Sequence, residues 1–151
     1  MFEGFTLTQI DTKGARINLR HGGSGLPLLL LHGNPLTHVM WHKIAPRLAE
    51  KFTVVATDLR GYGDSSKPRG GEKSAGYSFR TMANDNVEVM TKLGFDRWHV
   101  AGHDRGGRVA HRMALDHPQR VVRVAFLDIV PTLHMLSNIP LKWAVDSYHW
   151  F

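Results

Sequence analysis

Leu26-Pro27-Leu28-Leu29-Leu30-Leu31 is apolar at every position and only six residues long. A strand with one wet face alternates apolar and polar residues, so an unbroken run of this length fits a strand covered on both faces. Phe52 to Thr57 reads the same way, as does the β-branched stretch from Val121 to Val130. Trp98 to Ala101 is a shorter strand. Segments with helical spacing lie between them. Residues 40–50 carry Trp41, Ile44, Ala45 and Leu48, and residues 79–93 carry Met82, Val87, Met90 and Leu93 before a stop at Gly94. Residues 105–116 form the third, ended before Pro118. Buried strands alternating with helices specify an α/β architecture, a mostly parallel sheet with helices on both faces. Residues 5–10 and 15–20 alternate instead, which predicts two half-buried antiparallel strands ahead of the parallel part, with a turn over 21–25.

At 151 residues the chain has the size of one domain or part of one. Its 42% hydrophobic and 21% charged residues exclude a disordered segment. No apolar run approaches the roughly 18–20 residues of a membrane helix. Met1-Phe2-Glu3-Gly4-Phe5 lacks the basic-then-apolar layout of a signal peptide. The absence of cysteine excludes disulfides, Cys-ligated zinc, iron–sulfur clusters and thiol catalysis, and fits a cytoplasmic location. The net charge of +6 raises the question of nucleic acid. The 19 Lys and Arg are scattered with no basic run or nucleic-acid motif, so neither nucleic acid nor membrane is the expected partner. The excess reads better as one part of a longer, more neutral protein.

The chemistry concentrates at Gly102-His103-Asp104-Arg105-Gly106-Gly107, between the strand ending near Ala101 and the helix beginning near Arg105. This is the strand–turn–helix layout of a nucleophile elbow. Small residues at 102 and 106 allow a tight turn, which lifts residue 104 above the strand end beside a helix N-terminus. A carboxylate there makes a poor acyl nucleophile, because its product would be anhydride-like. Attack on a saturated carbon that carries a leaving group gives an ordinary ester, so Asp104 points to halide displacement or epoxide opening followed by ester hydrolysis. Taken alone, the motif also fits a plain helix N-cap. His32-Gly33-Asn34-Pro35 after one buried strand, and Asp58-Leu59-Arg60-Gly61-Tyr62-Gly63-Asp64-Ser65 after the next, favour the elbow.

With these motifs the chain resembles the N-terminal half of an α/β-hydrolase-fold enzyme. From His32 onward it resembles the fluoroacetate/haloacetate dehalogenases. The matching pieces are His38-Val39-Met40-Trp41-His42, the elbow, Leu127-Asp128-Ile129-Val130-Pro131-Thr132 and Tyr148-His149-Trp150. The resemblance implies a cofactor-free, metal-free enzyme acting on a small haloacid. It makes Asp104 the nucleophile and Asp128 the acid that orients a catalytic histidine. Arg105 and Arg108, one helical turn apart, would hold the substrate carboxylate. His149 and Trp150 would hydrogen-bond the departing halide. Epoxide hydrolases and haloalkane dehalogenases usually carry Trp where this chain has Arg105. That difference counts against an epoxide hydrolase, which stands as one alternative beside a non-catalytic, carboxylate-binding relative.

Asn34 departs from the dehalogenase pattern, which more often has an aromatic residue there; its amide is a candidate halide contact. None of the ten histidines follows a late strand, where the general base belongs. His103 is expected to point away from the site. Residues 1–132 read as the first part of the hydrolase core and 133–151 as the start of a helical lid, at which the fold is expected to be truncated. The strand at 121–130 should then be an open sheet edge, and turnover by 151 residues alone is not expected. Some members of the family pair through the lid, so a homodimer is the expected assembly of the full-length form.

Overall fold

The computed structural model describes residues 1–137 together with 139, 142 and 145. Its sheet has six strands: β1 (Thr6–Asp11), β2 (Arg16–Gly22), β3 (Leu26–Leu31), β4 (Phe52–Thr57), β5 (Trp98–His103) and β6 (Val121–Leu127). Their order is β1-β2-β4-β3-β5-β6. The first two strands pair antiparallel, and β2 joins β4 antiparallel. From β4 through β3 and β5 to β6 every pairing is parallel. Among the described residues the sheet is accompanied by the α-helices α1 (Ala45–Ala49), α2 (Phe79–Lys92), α3 (Arg105–Asp116) and α4 (Thr132–Ser137).

The uninterrupted apolar composition of β3 follows from its central place. Leu29 and Leu31 pack with Ile17, Leu19 and Val55 against Met82, Val89 and Met90 of α2 and Val109 and Met113 of α3. Leu28 and Leu30 turn to the other face and meet Phe2, Trp41, Ala45, Val54 and Ala56. Successive side chains of a strand point to opposite faces, so both faces of β3 are dry. Burying one such leucine side chain is worth roughly 1.5–3 kcal/mol.

The structure departs from the sequence expectations at four places. The helix expected over 40–50 is a 3-10 turn at His38–Trp41 followed by the short α1. Pro46 stands in the first turn of α1; with no N–H to donate, it suits a helix start and not the interior of a longer helix. The turn placed at 21–25 begins later, because β2 runs on to pair His21 with Val55 and Gly22 with Val54. Strand β5 is two residues longer than expected and carries Gly102 and His103 into the sheet. Strand β6 stops at Leu127, where Asp128 takes a left-handed φ of 52° and ends the ladder. As the sequence suggests, β6 is an outer strand; Val122, Phe126 and Leu127 are all exposed.

A buried ion pair holds the long loop between β4 and α2 in place. Arg60 Nε and Nη2 donate to the two Asp85 carboxylate oxygens at 2.5 and 2.6 Å. Arg60 Nη1 reaches the Gly76 carbonyl, and Thr12 Oγ1 donates to Asp85 Oδ1. The bidentate pair thus ties the β1–β2 hairpin, α2 and the loop to one another. Asp85→Ala would leave a buried guanidinium uncompensated. The expected loss is about 3–5 kcal/mol of unfolding free energy, read from the urea midpoint. Arg16→Ala, which removes an exposed pair with Asp11, should leave that midpoint unchanged.

Candidate active site

The C-terminal ends of the parallel strands converge on Asp104. Its backbone has φ 48° and ψ −117°, a strained conformation for a residue with a Cβ, worth about 1–3 kcal/mol. The surrounding glycines make the turn possible. A Cβ on Gly102 would collide with the Gly106 carbonyl, and one on Gly106 would collide with the carbonyl of Leu31. The elbow, β5 and the end of β3 are therefore in backbone contact, with no room for side chains between them.

Asp104 stands at the N-cap position of α3, yet its side chain makes no capping hydrogen bond. Its Oδ2 instead accepts the backbone N–H of Asn34 at 2.8 Å, from the loop after β3. Gly33 makes that approach possible: a Cβ there would lie 2.6 Å from Asp104 Cβ and 2.8 Å from His103 Nδ1. Asp104 also joins the sheet through its own N–H, which donates to the Leu127 carbonyl at 3.1 Å.

The loop from His32 to His38 is anchored at both ends by the end of β4. His32 Nε2 accepts the Leu59 N–H at 3.0 Å, which leaves Nδ1 to carry the proton and donate to the Gly33 carbonyl at 2.8 Å. Burial pushes the His32 pKa down, so the ring stays neutral and keeps this arrangement. At the other end, the His38 N–H and ring Nδ1 both reach Asp58 Oδ1, at 2.7 and 2.8 Å. Asn18 Nδ2 and the Asp64 N–H donate to Asp58 Oδ2. Burial favours the protonated carboxyl, but the hydrogen bonds from His38 and Asn18 outweigh it and hold Asp58 at about 2. Between the anchors, the Tyr62 hydroxyl donates to Asn34 Oδ1 at 3.0 Å.

An open depression of about 530 Å³ lies over the elbow, lined by Asn34, His103, Asp104, Asp128, Ile129, Val130 and Met135. Three of the residues singled out in the sequence, Asn34, Asp104 and Asp128, thus come together from three strand ends. Asp128 is the first residue after β6, with its side chain 92% exposed. The expectation that His103 points away is corrected. Its ring lines the same depression, and Nε2 lies 3.9 Å from Asp128 Oδ2. The extension of β5 through residue 103 turns the ring this way.

The two arginines are placed differently. Arg105 is exposed, and neither it nor Arg108 is among the residues lining the depression. Arg108 is half-buried; its Nη2 donates to Met135 Sδ at 3.2 Å, and its guanidinium lies 5.9 Å from the centre of the Phe79 ring. It lines a separate narrow crevice with His111, Phe126 and Ile129. Burial lowers its pKa, the Asp104 charge opposes that shift and Arg105 reinforces it. Arg108 and Asp104 therefore feel one another electrostatically, and Met135 both touches the arginine and lines the depression. His149 and Trp150 lie outside the described residues. Among the described residues, no group of three or more His, Asp or Glu is disposed to hold a metal ion.

The profile of the α/β hydrolase fold matches residues 27–151. The chain belongs to the α/β-hydrolase fold family. It is 53% identical over its whole length to a fluoroacetate dehalogenase of Burkholderia sp, covering 50% of that protein. It is 47% identical over 144 residues to a soluble epoxide hydrolase of Corynebacterium sp. (strain C12), covering 95% of this chain and 49% of that protein. The crystal structure of an α/β hydrolase from Nostoc sp PCC 7120 superposes with a TM-score of 0.97 at 61% identity, over 100% of this chain and 52% of that one. The chain thus spans about half the length of the curated relatives it matches.

In this hydrolase fold, Gly33, His38, Asp58 and Tyr62 build the site without having been assigned a role from the sequence. Gly33 is legible in retrospect, as the small residue directly after a buried strand. Nothing in the spacing of His38 and Asp58 announces their pairing. The low Asp58 pKa has a testable consequence. The folded carboxyl is held at about 2 against an ordinary 3.8, so its contribution to stability is present above about pH 4 and is lost as pH falls towards 2. Asp58→Asn should lower stability at pH 7 and flatten the fall between pH 4 and 2, as measured by thermal unfolding across that range.

Proposed function

We propose that the complete protein hydrolyses a short haloacid, of the fluoroacetate or chloroacetate type, with Asp104 as nucleophile. The observation that carries this reading is the uncapped Asp104 carboxylate on its elbow, opening into the depression with one oxygen held by Asn34 N–H. The second oxygen, Oδ1, attacks the carbon that bears the halogen; the carbon–oxygen bond forms, the carbon–halogen bond breaks and halide leaves with inversion. Oδ2 becomes the carbonyl oxygen of the ester. When water attacks that carbonyl carbon, the developing oxyanion lies where Asn34 N–H already donates. The water proton passes to a histidine oriented by Asp128, which the resemblance places in the half of the relatives that this chain does not span. Collapse releases the hydroxy acid and restores Asp104.

Arg105 and Arg108 act on the substrate carboxylate in this reading. Half-burial of Arg108 beside the Asp104 charge supports such a part, since a substrate anion would be drawn to a partly desolvated guanidinium. His149 and Trp150 would hold the leaving halide at the start of the lid, in 133–151. The protein would work in the cytoplasm, and the complete form would pair as a homodimer through that lid. Identity to the Corynebacterium epoxide hydrolase supports a second reading with the same first bond-making step. There, an epoxide oxygen is the leaving group and a diol is the product.

The complete protein should release halide from chloroacetate and fluoroacetate, followed by ion chromatography. Asp104→Ala should reduce that release at least about 10⁴-fold. A single turnover in heavy-oxygen water should leave the label in the peptide bearing Asp104, because water attacks the ester at the aspartyl carbon. Gly33→Ala should be nearly as damaging while leaving the far-UV spectrum intact. Its Cβ would displace the Asp104 side chain without entering the sheet core. Diol formation from an epoxide, with no halide released from either haloacid, would establish the second reading instead.

A further inference from the structure

We propose that Tyr62 is a positioning residue, which turns the donor end of the Asn34 carboxamide towards the Asp104 depression. The inference rests on the haloacid reading and deepens it. A carboxamide has one acceptor end and one donor end. Tyr62 occupies the acceptor end: its O–H meets Asn34 Oδ1 at 3.0 Å. Among the described residues, Nδ2 has no hydrogen-bond partner, and Asn34 lines the depression that holds Asp104. With Oδ1 engaged, the two N–H groups of Nδ2 are the polar atoms Asn34 has left to offer an incoming anion.

Tyr62 is well held for this task. Its N–H donates to the Leu59 carbonyl at 2.9 Å, and its own carbonyl accepts from the Ser65 N–H at 3.1 Å. Its ring packs edge-on against His32 at 5.1 Å. That histidine is locked into one tautomer by the same loop. Phenolic oxygen, imidazole and Asn34 thus form one packed unit, in which the hydroxyl position is set before any substrate arrives. Orientation matters electrostatically. An amide oxygen facing the depression would repel both the Asp104 carboxylate and a departing halide, whereas N–H groups would stabilise the charge that develops on the halogen. The need is greatest for fluoride, which is the poorest leaving group and the strongest hydrogen-bond acceptor of the halides.

The test compares fluoroacetate, chloroacetate and bromoacetate turnover by the complete enzyme with that of Tyr62→Phe, Asn34→Leu and the double variant. Tyr62→Phe keeps the ring and removes one hydroxyl. Its kcat on fluoroacetate should fall about tenfold and on bromoacetate less than about twofold, with KM nearly unchanged. In the Asn34→Leu background the same change should have no further effect on any of the three substrates. A loss equal across the three halogens, or one that persists in the Asn34→Leu background, overturns the inference and leaves the haloacid reading standing. Absence of halide release by the unaltered enzyme overturns the haloacid reading and this inference with it.

Discussion

The hydrogen bond from Asn34 N–H to Asp104 Oδ2 joins two loops that leave different strands, and the surrounding structure is arranged to permit it. It needs backbone contact between the end of β3 and the elbow after β5. Gly33, Gly102 and Gly106 supply that contact by leaving no side chain in the way. It also needs the loop after β3 to stay still. His32 and His38 hold that loop to Leu59 and Asp58, at the end of the neighbouring strand. Three adjacent parallel strands are therefore coupled through their C-terminal ends. The strain in the Asp104 backbone is sustained because so many rigid neighbours over-determine it.

The electrostatics follow a similar division. Charges that serve the framework are buried and fully paired: Arg60 with Asp85, and Asp58 with its four donors. Asp104 is treated otherwise. It is left half-exposed, receives one N–H and faces an open depression. A carboxylate with several donors is stabilised as an anion and is a weak nucleophile; one with a single donor keeps an oxygen free for attack. Asp58 and Asp104, which follow β4 and β5 on either side of β3, thus differ in environment through their donors, and the residue type is the same.

The sheet was legible in the sequence because burial on two faces writes itself as unbroken apolar runs, and β3 and β4 match their expected limits to the residue. The elbow was legible because glycine spacing reports a backbone collision. Elements governed by tertiary contact were harder. Pro46 marks the start of α1, but the 3-10 turn before it depends on Asp58 capturing His38, a partner twenty residues away. The end of β6 could not be read from its β-branched residues, since Val130 suits a strand as well as Val124 does. The left-handed turn at Asp128 decides it. The direction of the His103 ring depends on the extra length of β5, which the local sequence does not reveal. Helical spacing puts Arg105 and Arg108 one turn apart, so that both could face the site, but it carries no information on burial. The structure separates an exposed arginine from one packed against Phe79 and Met135.

The two activities suggested by the relatives share an aspartate ester and diverge in what the leaving group requires. A departing halide needs hydrogen-bond donors and no proton, because the halide ion is stable in water. An opening epoxide produces an alkoxide, which must be protonated by an acid of suitable pKa. The polar groups that Asn34 offers are amide N–H bonds, and these donate hydrogen bonds without giving up protons. Tyr62, whose phenol could in principle protonate an alkoxide, already directs its O–H to Asn34 Oδ1 and stands behind that side chain. Arg108 packs on Met135 and lines a separate crevice, and in the proposed haloacid reading its guanidinium would act on the substrate's own negative charge. In that reading the charge would offset the repulsion between the substrate carboxylate and Asp104, which a neutral epoxide does not meet. In the haloacid reading proposed above, an anionic leaving group would meet the donors it requires, whereas the epoxide reading would require an acid for the leaving oxygen.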